Sequence, residues 1–345
     1  MQTTSTDVRP NDFLVVGAAA IRAAIATDRH GVLRAVEDAY RRHHAGLSAP
    51  PQSHFLRFPR RPGTRIIALP AHLDGDREAV GIKWISSFPT NVGAGIPRAS
   101  AVIILNDPET GYPTACLEGA LISAARTGAS AALAARALMR GRAPETLGII
   151  GCGPIAETTL GFLDALGWEP PAVLVHDLDA ARAASFLARN GIAAGERRTG
   201  RVVGKEEVLR RSDLIILATT APSPHIADPA LFAHGPVILN VSLRDLAPEV
   251  IQGADNYCDD VEHCLQAQTS LHLAAEALGG TPFIKGHIGD LLDGRFPEPA
   301  PGTPMIFSPF GLGVLDMAVA AHILDRLGDG PEVLRLPDFF GLRPA

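Results

Sequence analysis

Several residues of this chain could bind an anion, and one of them is a lysine inside a strand-like run. The stretch GIKWISSFPTNVGAGIPRAS (81–100) places Lys83 between Ile82 and Trp84, and the Gly/Pro-rich loop that follows carries Arg98. Ammonium and guanidinium groups bind carboxylates, the guanidinium in a bidentate manner. Two interpretations are open from this stretch alone. Lys83 lies on the solvated face of a half-exposed strand with its charge in water, or it holds an anion in a binding site.

A second set of residues is typical of a dinucleotide site. TLGIIGCGPIAETTLGFL puts Gly151, Gly153 and Ala156 between an apolar strand and a helix, which is the G-x-G-x-x-[G/A] pattern that lets a pyrophosphate approach the backbone. The helix N-terminus adds unpaired N–H groups. The next strand, AVLVHDLD, ends in Asp177, whose carboxylate would bind the ribose hydroxyls and repel a 2′-phosphate. We therefore predict NAD as the cofactor; the alternatives are a glycine turn with only a packing role and an Asp177 that caps the next helix.

Composition limits the class of protein. The 345 residues are 46% hydrophobic and 20% charged, with a net charge of −6, which is ordinary for a globular chain of two domains and gives no reason to expect a nucleic-acid partner. A local basic cluster (Arg57, Arg60, Arg61, Arg65) suits a small anionic ligand or a solvated loop. The cysteines form no CxxC pair, the histidines lack a metal-binding partner set, and no signal peptide or membrane-length apolar run is visible. We expect a cytoplasmic protein with reduced thiols and no metal.

The elements around these residues differ along the chain. A helix over 31–46 precedes strand-like runs and a hairpin, VIILNDPETGYPTACLE, which together predict a mainly antiparallel sheet. Between 147 and 241, strands alternate with helices, which is typical of a doubly wound parallel sheet. The Pro-rich segment 296–304 is typical of a linker, and FSPFGLGVLDMAVAAHILDRLG predicts a long amphipathic helix. The fold class is therefore α/β.

The segments GIKWISSFPTN, SAARTGASAALAA and GIIGCGPIA resemble the lysine strand, the arginine-bearing helix and the nucleotide loop of the ornithine cyclodeaminase/μ-crystallin family. The resemblance covers roughly residues 30–325. Within the family, KWISSFPTNVGAGIPRASAVIILND, NVSLRDLAPEVI and MIFSPFGLGVLD look most like the N-(2-amino-2-carboxyethyl)-L-glutamate dehydrogenases. The resemblance implies a Rossmann NAD-binding domain at 126–305 and an α+β substrate-binding and dimerisation domain at 1–125 with 306–345. It also implies a homodimer built by packing the two N-terminal sheets.

The resemblance also implies roles for individual residues. Arg57, Lys83 and Arg126 match cations that hold a substrate carboxylate, and Asp245 in NVSLRDL matches an acid that orients water and handles protons near the substrate amine; Asp245 and Lys83 are the predicted catalytic residues. The alternatives are a helix-face role for Arg126 and a helix-capping role for Asp245. The predicted substrate-binding residues are Arg57, Lys83, Arg98, Arg126 and Arg244. The predicted cofactor-binding residues are Thr127, Gly151, Gly153, Pro154, Ile155, Ala156, Asp177, Thr219, Thr220, Ser242, Gly311 and Gly313, and Asp316 falls in the same segment as the last two.

The implied activity is the NAD-dependent oxidative cleavage of N-(2-amino-2-carboxyethyl)-L-glutamate to 2,3-diaminopropionate and 2-oxoglutarate, for siderophore or peptide-antibiotic biosynthesis. A PLP-dependent synthase would supply this tricarboxylate substrate. Cyclodeaminases carry a glutamate on the strand before the lysine strand, and Ile67 stands there in this chain. An apolar side chain cannot relay protons, which argues against ornithine cyclisation. A cyclodeaminase, a ketimine reductase and a non-catalytic dinucleotide-binding protein remain the alternatives.

Overall fold

The computed structural model describes residues 12–192 and 198–341, and its backbone divides into two compact units. The mixed-sheet unit contains the residues up to Arg126 and those from Leu312 on, and the parallel-sheet unit is Thr127–Gly311. The second boundary between the units therefore lies at 311/312, later than the predicted boundary at 305/306. The reason is a strand at Met305–Ser308 that belongs to the parallel sheet.

The predicted first helix, the hairpin, the alternating elements of 147–241 and the last long helix are all present. In chain order the helices are α1 (Ala18–Thr27), α2 (Arg29–His44), α3 (Gly119–Leu138), α4 (Pro154–Ala165), α5 (Ala180–Arg189), α6 (Lys205–Arg211), α7 (Pro248–Gln252), α8 (Val261–Cys264), α9 (Ser270–Leu278), α10 (Ile288–Leu292) and α11 (Gly313–Leu327). The strands are β1 (Phe13–Val16), β2 (Ser48–Ala49), β3 (His54–Arg57), β4 (Arg65–Leu73), β5 (Ala79–Ser87), β6 (Ala99–Asn106), β7 (Pro113–Glu118), β8 (Thr146–Ile150), β9 (Ala172–His176), β10 (Thr199–Val202), β11 (Leu214–Leu217), β12 (Val237–Asn240), β13 (Asp255–Cys258), β14 (Ile284–His287), β15 (Met305–Ser308) and β16 (Val333–Leu336).

The mixed-sheet unit is built on one sheet in the order β16-β1-β7-β6-β5-β4-β2, with β3 also paired to β4. Its pairs are antiparallel except β1 with β7, and β6 and β7 form the predicted hairpin. Helix α11 packs on β4, β5 and β6 and is covered on its other side by α2. It is therefore buried over most of its length rather than amphipathic, because both of its sides face protein.

The opposite face of this sheet exposes apolar side chains. Leu56, Trp84 and Val102 are 49%, 43% and 39% exposed, and the register pairs Trp84 directly with Val102. Half-buried Ile82 and Ile104 form the next cross-strand pair on the same face. Several large apolar side chains that share one sheet face and remain accessible are typical of a protein–protein contact surface.

The parallel-sheet unit has the strand order β10-β9-β8-β11-β12-β15-β13-β14, and all pairs are parallel. The α/β prediction, with a Rossmann-like sheet and a second sheet domain, is confirmed. The Pro-rich segment 296–304 is not a linker between the units, since it leads into β15, which lies between β12 and β13. Strand order reverses between β8 and β11, and ligands of such sheets bind beyond the carboxyl ends of the strands at that point. None of the helices described is long and apolar enough to span a bilayer.

Candidate active site

Lys83 is buried at the centre of the mixed sheet. On β5 it stands between Leu69 of β4 and Ile103 of β6 and is 1% exposed. Its Nζ donates to Asp316 Oδ2 at 2.5 Å and to Ser123 Oγ at 3.2 Å. The solvated-strand interpretation is therefore wrong. Burial lowers the pKa of Lys83 to about 8; the carboxylate of Asp316 opposes that shift.

Asp316 links Lys83 to the arginine of the predicted substrate set. It lies in the first turn of α11 and is fully buried. Its Oδ1 accepts from Arg126 Nε at 3.3 Å, and Arg126 Nη2 also donates to Ser123 Oγ at 3.4 Å. Arg126 is therefore more than a helix-face arginine. Two cations share one carboxylate, so the group carries a net positive charge. One signal for Asp316 is visible in the sequence, an acid within the apolar first half of α11, and the resemblance places it in the cofactor segment.

Further cations project from the same face of the sheet as Lys83. Arg57 of β3 stands opposite Arg65 of β4, and Arg65 stands opposite Ser87 of β5. Ser87 lies four residues from Lys83 on one continuous strand, so their side chains share a face. Arg98 Nη1 donates to Ser87 Oγ at 3.4 Å, and burial lowers the pKa of its guanidinium. The register thus brings Arg65, which we had placed only in a local basic cluster, into this row.

Arg57 and Ile67 lie on the same face of the mixed sheet, in different surroundings. The Arg57 guanidinium is exposed and lies 4.9 Å from the ring centroid of Phe55. Ile67 pairs with Ile85 of β5 and Phe55 of β3, which places it on the face that carries Lys83. An apolar residue therefore occupies this part of the face.

The glycine loop after β8 has the geometry that a pyrophosphate requires. Gly151 has φ +90, and a Cβ there would lie 2.7 Å from the carbonyl oxygen of Ala218, so a side chain does not fit. Gly153 is the N-cap of α4, its side-chain position opens onto free space, and no side chain caps this helix. The first-turn N–H groups of α4 therefore face an accessible loop, where phosphate oxygens can accept from them. Ala156 is fully buried, as close helix–strand packing requires. Pro154 begins the helix, and Ile155 follows it, half-buried.

Asp177 lies at the end of β9 beside this loop. Its Oδ2 accepts from Cys152 N at 2.9 Å and its Oδ1 from Asp179 N at 3.0 Å. The cap of α5 is Asp179, whose side chain accepts from Ala181 N and Arg182 N, so the helix-cap alternative for Asp177 is wrong. A carboxylate has about four acceptor positions, which leaves room for ribose hydroxyls. The residues present therefore fit a dinucleotide.

The other predicted cofactor residues have different surroundings. Ser242 donates to Asn240 Oδ1 at 3.1 Å, in a small cavity lined also by Ser308 and Phe310. Gly311 N donates to Asp259 Oδ2 at 2.6 Å. Gly313 begins α11, and a Cβ there would lie 3.1 Å from Ala71 Cβ, so its small size serves the packing of α11 on β4. Thr127 is half-buried in α3, and Thr220 is exposed.

Asp245 is fully buried in the parallel-sheet unit. Thr219 Oγ1 donates to its Oδ1 at 2.5 Å, and His225 Nε2 lies 3.5 Å from the same oxygen. The helix that follows, α7, begins at Pro248 after the N-cap Ala247, so Asp245 is not a helix cap. Sequence reasoning missed His225, and Thr219 was predicted as a cofactor contact.

Arg244 has its guanidinium engaged with the backbone. It donates to the carbonyl oxygens of Ala267 at 2.9 Å and Pro222 at 3.4 Å. These contacts tie two loops of the parallel-sheet unit together. Its predicted role in substrate binding therefore competes with a structural one.

Cys152, inside the glycine loop, is a buried packing residue. Burial raises the pKa of its thiol to about 12, and the nearby carboxylate of Asp177 adds to the shift. The thiol is therefore protonated at neutral pH and is not a nucleophile.

Comparisons with known proteins show the family of this chain. Residues 15–330 match the model of the ornithine cyclodeaminase/mu-crystallin family. The N-((2S)-2-amino-2-carboxyethyl)-L-glutamate dehydrogenase of Staphylococcus aureus is 32% identical over 76% of this chain and 79% of its own. The solved Delta(1)-pyrroline-2-carboxylate reductase of Thermococcus litoralis, in complex with NADH and L-proline, is 25% identical, with a TM-score of 0.81 over 92% of this chain and 98% of that one. An archaeal alanine dehydrogenase dimer with bound NAD is 26% identical, with a TM-score of 0.79 over 92% and 96%. The chain belongs to the ornithine cyclodeaminase/mu-crystallin family and is an NAD(P)-dependent oxidoreductase.

Proposed function

We propose that this member of the ornithine cyclodeaminase/mu-crystallin family is an NAD-dependent N-(2-amino-2-carboxyethyl)-L-glutamate dehydrogenase, which releases 2,3-diaminopropionate and 2-oxoglutarate as NADH forms. The observation that carries the proposal is the row of cations on one face of the mixed sheet. The similarity to the Staphylococcus aureus enzyme of that name supports it.

The number of cations suits a substrate with three carboxylates. Lys83 and Arg126 already share Asp316 and suit one substrate carboxylate. Arg98 stands at Ser87, four residues from Lys83. Four residues of strand span about 13 Å. The long side chains of Lys83 and Arg98 can lean toward each other, so the distance between their charged groups can be smaller than this. A small amino acid with a single carboxylate needs only the first pair, whereas a tricarboxylate uses the row.

The proposed cofactor is NAD rather than NADP. Asp177 places a carboxylate beside the glycine loop, with acceptor positions left over for ribose hydroxyls. A 2′-phosphate at the same place would be repelled by that charge. When bound, the nicotinamide supplies the hydride acceptor for the reaction.

The residues of this chain would then bind, orient and move a proton. The row of cations fixes the substrate carboxylates and so the orientation of the carbon to be oxidised. Asp245 accepts the proton that the secondary amine must lose before that carbon can give up a hydride. The same carboxylate orients the water that hydrolyses the imine of the substrate to 2-oxoglutarate and 2,3-diaminopropionate.

A substrate panel tests this function. Purified protein and NAD⁺ are mixed separately with N-(2-amino-2-carboxyethyl)-L-glutamate, ornithine, alanine and proline, and NADH absorbance and 2-oxoglutarate are followed. NADH is expected with the first compound. Proline formed from ornithine would show instead a cyclodeaminase, NADH formed only from proline would show a reductase of cyclic imines, and NAD binding without any turnover would show a non-catalytic protein.

A matched pair of variants tests the row of cations. Arg98→Gln removes a cation that lies against Ser87, whereas Arg61→Gln removes an exposed arginine of the neighbouring loop. Loss of a charge-assisted contact is expected to raise KM for the tricarboxylate about tenfold in Arg98→Gln. An equal KM in both variants would remove Arg98 from the site.

We also propose that the protein is a homodimer and that a PLP-dependent synthase supplies its substrate. The exposed apolar face that carries Leu56, Trp84 and Val102 suits contact with the same face of a second copy. Trp84→Glu is expected to shift the mass measured by light scattering from dimer to monomer. A dimer that survives this change would place the interface elsewhere.

A further inference from the structure

Asp245 receives two side chains of the loop that follows β11, and both meet the same oxygen. Thr219 Oγ1 donates to Oδ1 at 2.5 Å. Ala221 N in turn donates to Thr219 Oγ1 at 3.1 Å. The Thr219 oxygen thus accepts from the backbone, and its proton is directed at Asp245.

The second of these side chains, His225, approaches the same oxygen of Asp245, Oδ1. Its Nε2 lies 3.5 Å from Oδ1, and its Nδ1 lies 3.5 Å from the ammonium of Lys205, which also donates to the His225 carbonyl at 3.0 Å. An ammonium only donates, so Nδ1 accepts and the ring proton lies on Nε2, which faces Asp245. The backbone N–H of His225 donates to the carbonyl oxygen of Asp245 at 3.0 Å, which holds the two loops together.

The other oxygen of Asp245 has a different environment. Oδ2 is buried and has no hydrogen-bond partner within residues 12–192 and 198–341. A buried acceptor that stays unpaired destabilises the fold, and such groups in native proteins commonly serve a function. The two oxygens therefore differ: Oδ1 accepts from Thr219 and lies 3.5 Å from His225 Nε2, whereas Oδ2 has acceptor capacity that the described residues do not use.

We propose that Thr219 and His225 are positioning residues for Asp245. Thr219 donates to Oδ1 and His225 Nε2 lies beside the same oxygen, and together they fix the rotation of the carboxylate, so that Oδ2 is the atom that takes the proton from the nitrogen of the substrate amine. This inference rests on the proposed function, in which Asp245 is the proton acceptor. It also gives Thr219 a role different from the cofactor contact that the sequence had indicated.

Four variants in two matched pairs test the proposal. Thr219→Val and His225→Leu remove a donor, whereas Thr219→Ser and His225→Gln retain one. In Thr219→Val and His225→Leu, kcat is expected to fall about tenfold. The acid limb of the pH–kcat profile is expected to move about one pH unit upward, which is the size expected for a lost hydrogen bond to a charged group. NAD affinity, measured by fluorescence titration, stays unchanged. The conservative pair keeps the wild-type profile.

A substrate-free measurement separates this inference from the proposed function. Infrared spectra of protein with ¹³C-labelled aspartate, with the spectrum of Asp245→Asn subtracted, follow protonation of the Asp245 carboxyl with pH. The midpoint is expected to move upward in Thr219→Val and His225→Leu only. If it moves while no member of the substrate panel turns over, the positioning role stands and the proposed function falls. If all variants keep the wild-type midpoint and pH profile, the positioning role is refuted.

Discussion

The burial of Lys83 predicts an unusual dependence of stability on pH. An unfolded lysine keeps its proton up to about 10.5, whereas folded Lys83 releases it near 8 because burial penalises its charge. Between these values the unfolded chain binds more protons, so the free energy of unfolding rises with pH. At about 1.36 kcal/mol per pKa unit, the whole difference is about 3 kcal/mol. Protonation of buried Lys83 thus lowers the free energy of unfolding by this amount below pH 8 and does not lower it above pH 10.5.

Urea unfolding at a series of pH values from 7 to 10.5 measures this effect. Lys83→Met lacks the titration, so the stability of wild type minus that of the variant is expected to rise by about 3 kcal/mol across the window. Trp84 fluorescence in a Trp168→Phe background reports the mixed-sheet unit, and Lys285→Met, which removes an exposed lysine, is the control. Parallel stability curves for wild type and Lys83→Met would refute the reasoning.

Three further predictions concern single residues. Asp316→Asn removes the charge that supports protonated Lys83, so the pH above which KM for the substrate rises is expected to fall below 8, as KM measured against pH would show; an unchanged break point contradicts this. Gly151→Ala places a Cβ 2.7 Å from the Ala218 oxygen at a positive φ and is expected to weaken NADH binding at least tenfold in fluorescence titrations, whereas equal affinity would mean that the loop adapts. Asp177→Ser is expected to raise kcat/KM for NADP⁺ relative to NAD⁺ at least tenfold, and an unchanged ratio would remove this carboxylate from cofactor choice.

The sequence predicted well those features that depend on neighbouring residues. The glycine loop and the strands β4 to β6 each carry their signal within about ten residues, as a spaced set of glycines or a β-prone apolar run. Strands β13, β14 and β15 were missed. They have four residues each, as do β11 and β12, but β13 (DNYC) and β14 (IKGH) are not continuous apolar runs, and β15 (MIFS) directly follows the Pro-rich segment. The Pro-rich segment 296–304 was interpreted as a linker because its local composition does not show that the strand after it inserts into the sheet.

The contacts that build the site join distant parts of the chain, and the residues that were missed depend on such contacts. Lys83 is buried because Asp316, 233 positions later, neutralises it, and no local pattern contains both. Arg65 joined the row of cations only through the register of β3, β4 and β5. His225 became notable only through the fold that brings it to Asp245, 20 positions away. Residue types indicated the chemistry, whereas the topology decided which of them meet.

The late position of α11 in the chain has a consequence for biosynthesis. Residues up to Arg126 leave the ribosome long before Gly313–Leu327, although both belong to one compact unit. The parallel-sheet unit is continuous in sequence and can fold as soon as it has emerged, since domains generally fold as units during synthesis. The first sheet cannot be completed until α11 has been synthesised. Until then Lys83 lacks its counter-ion Asp316, and the apolar faces of the sheet are accessible to chaperones. A nascent chain arrested before residue 313 is therefore the species in which this protein is most exposed to aggregation.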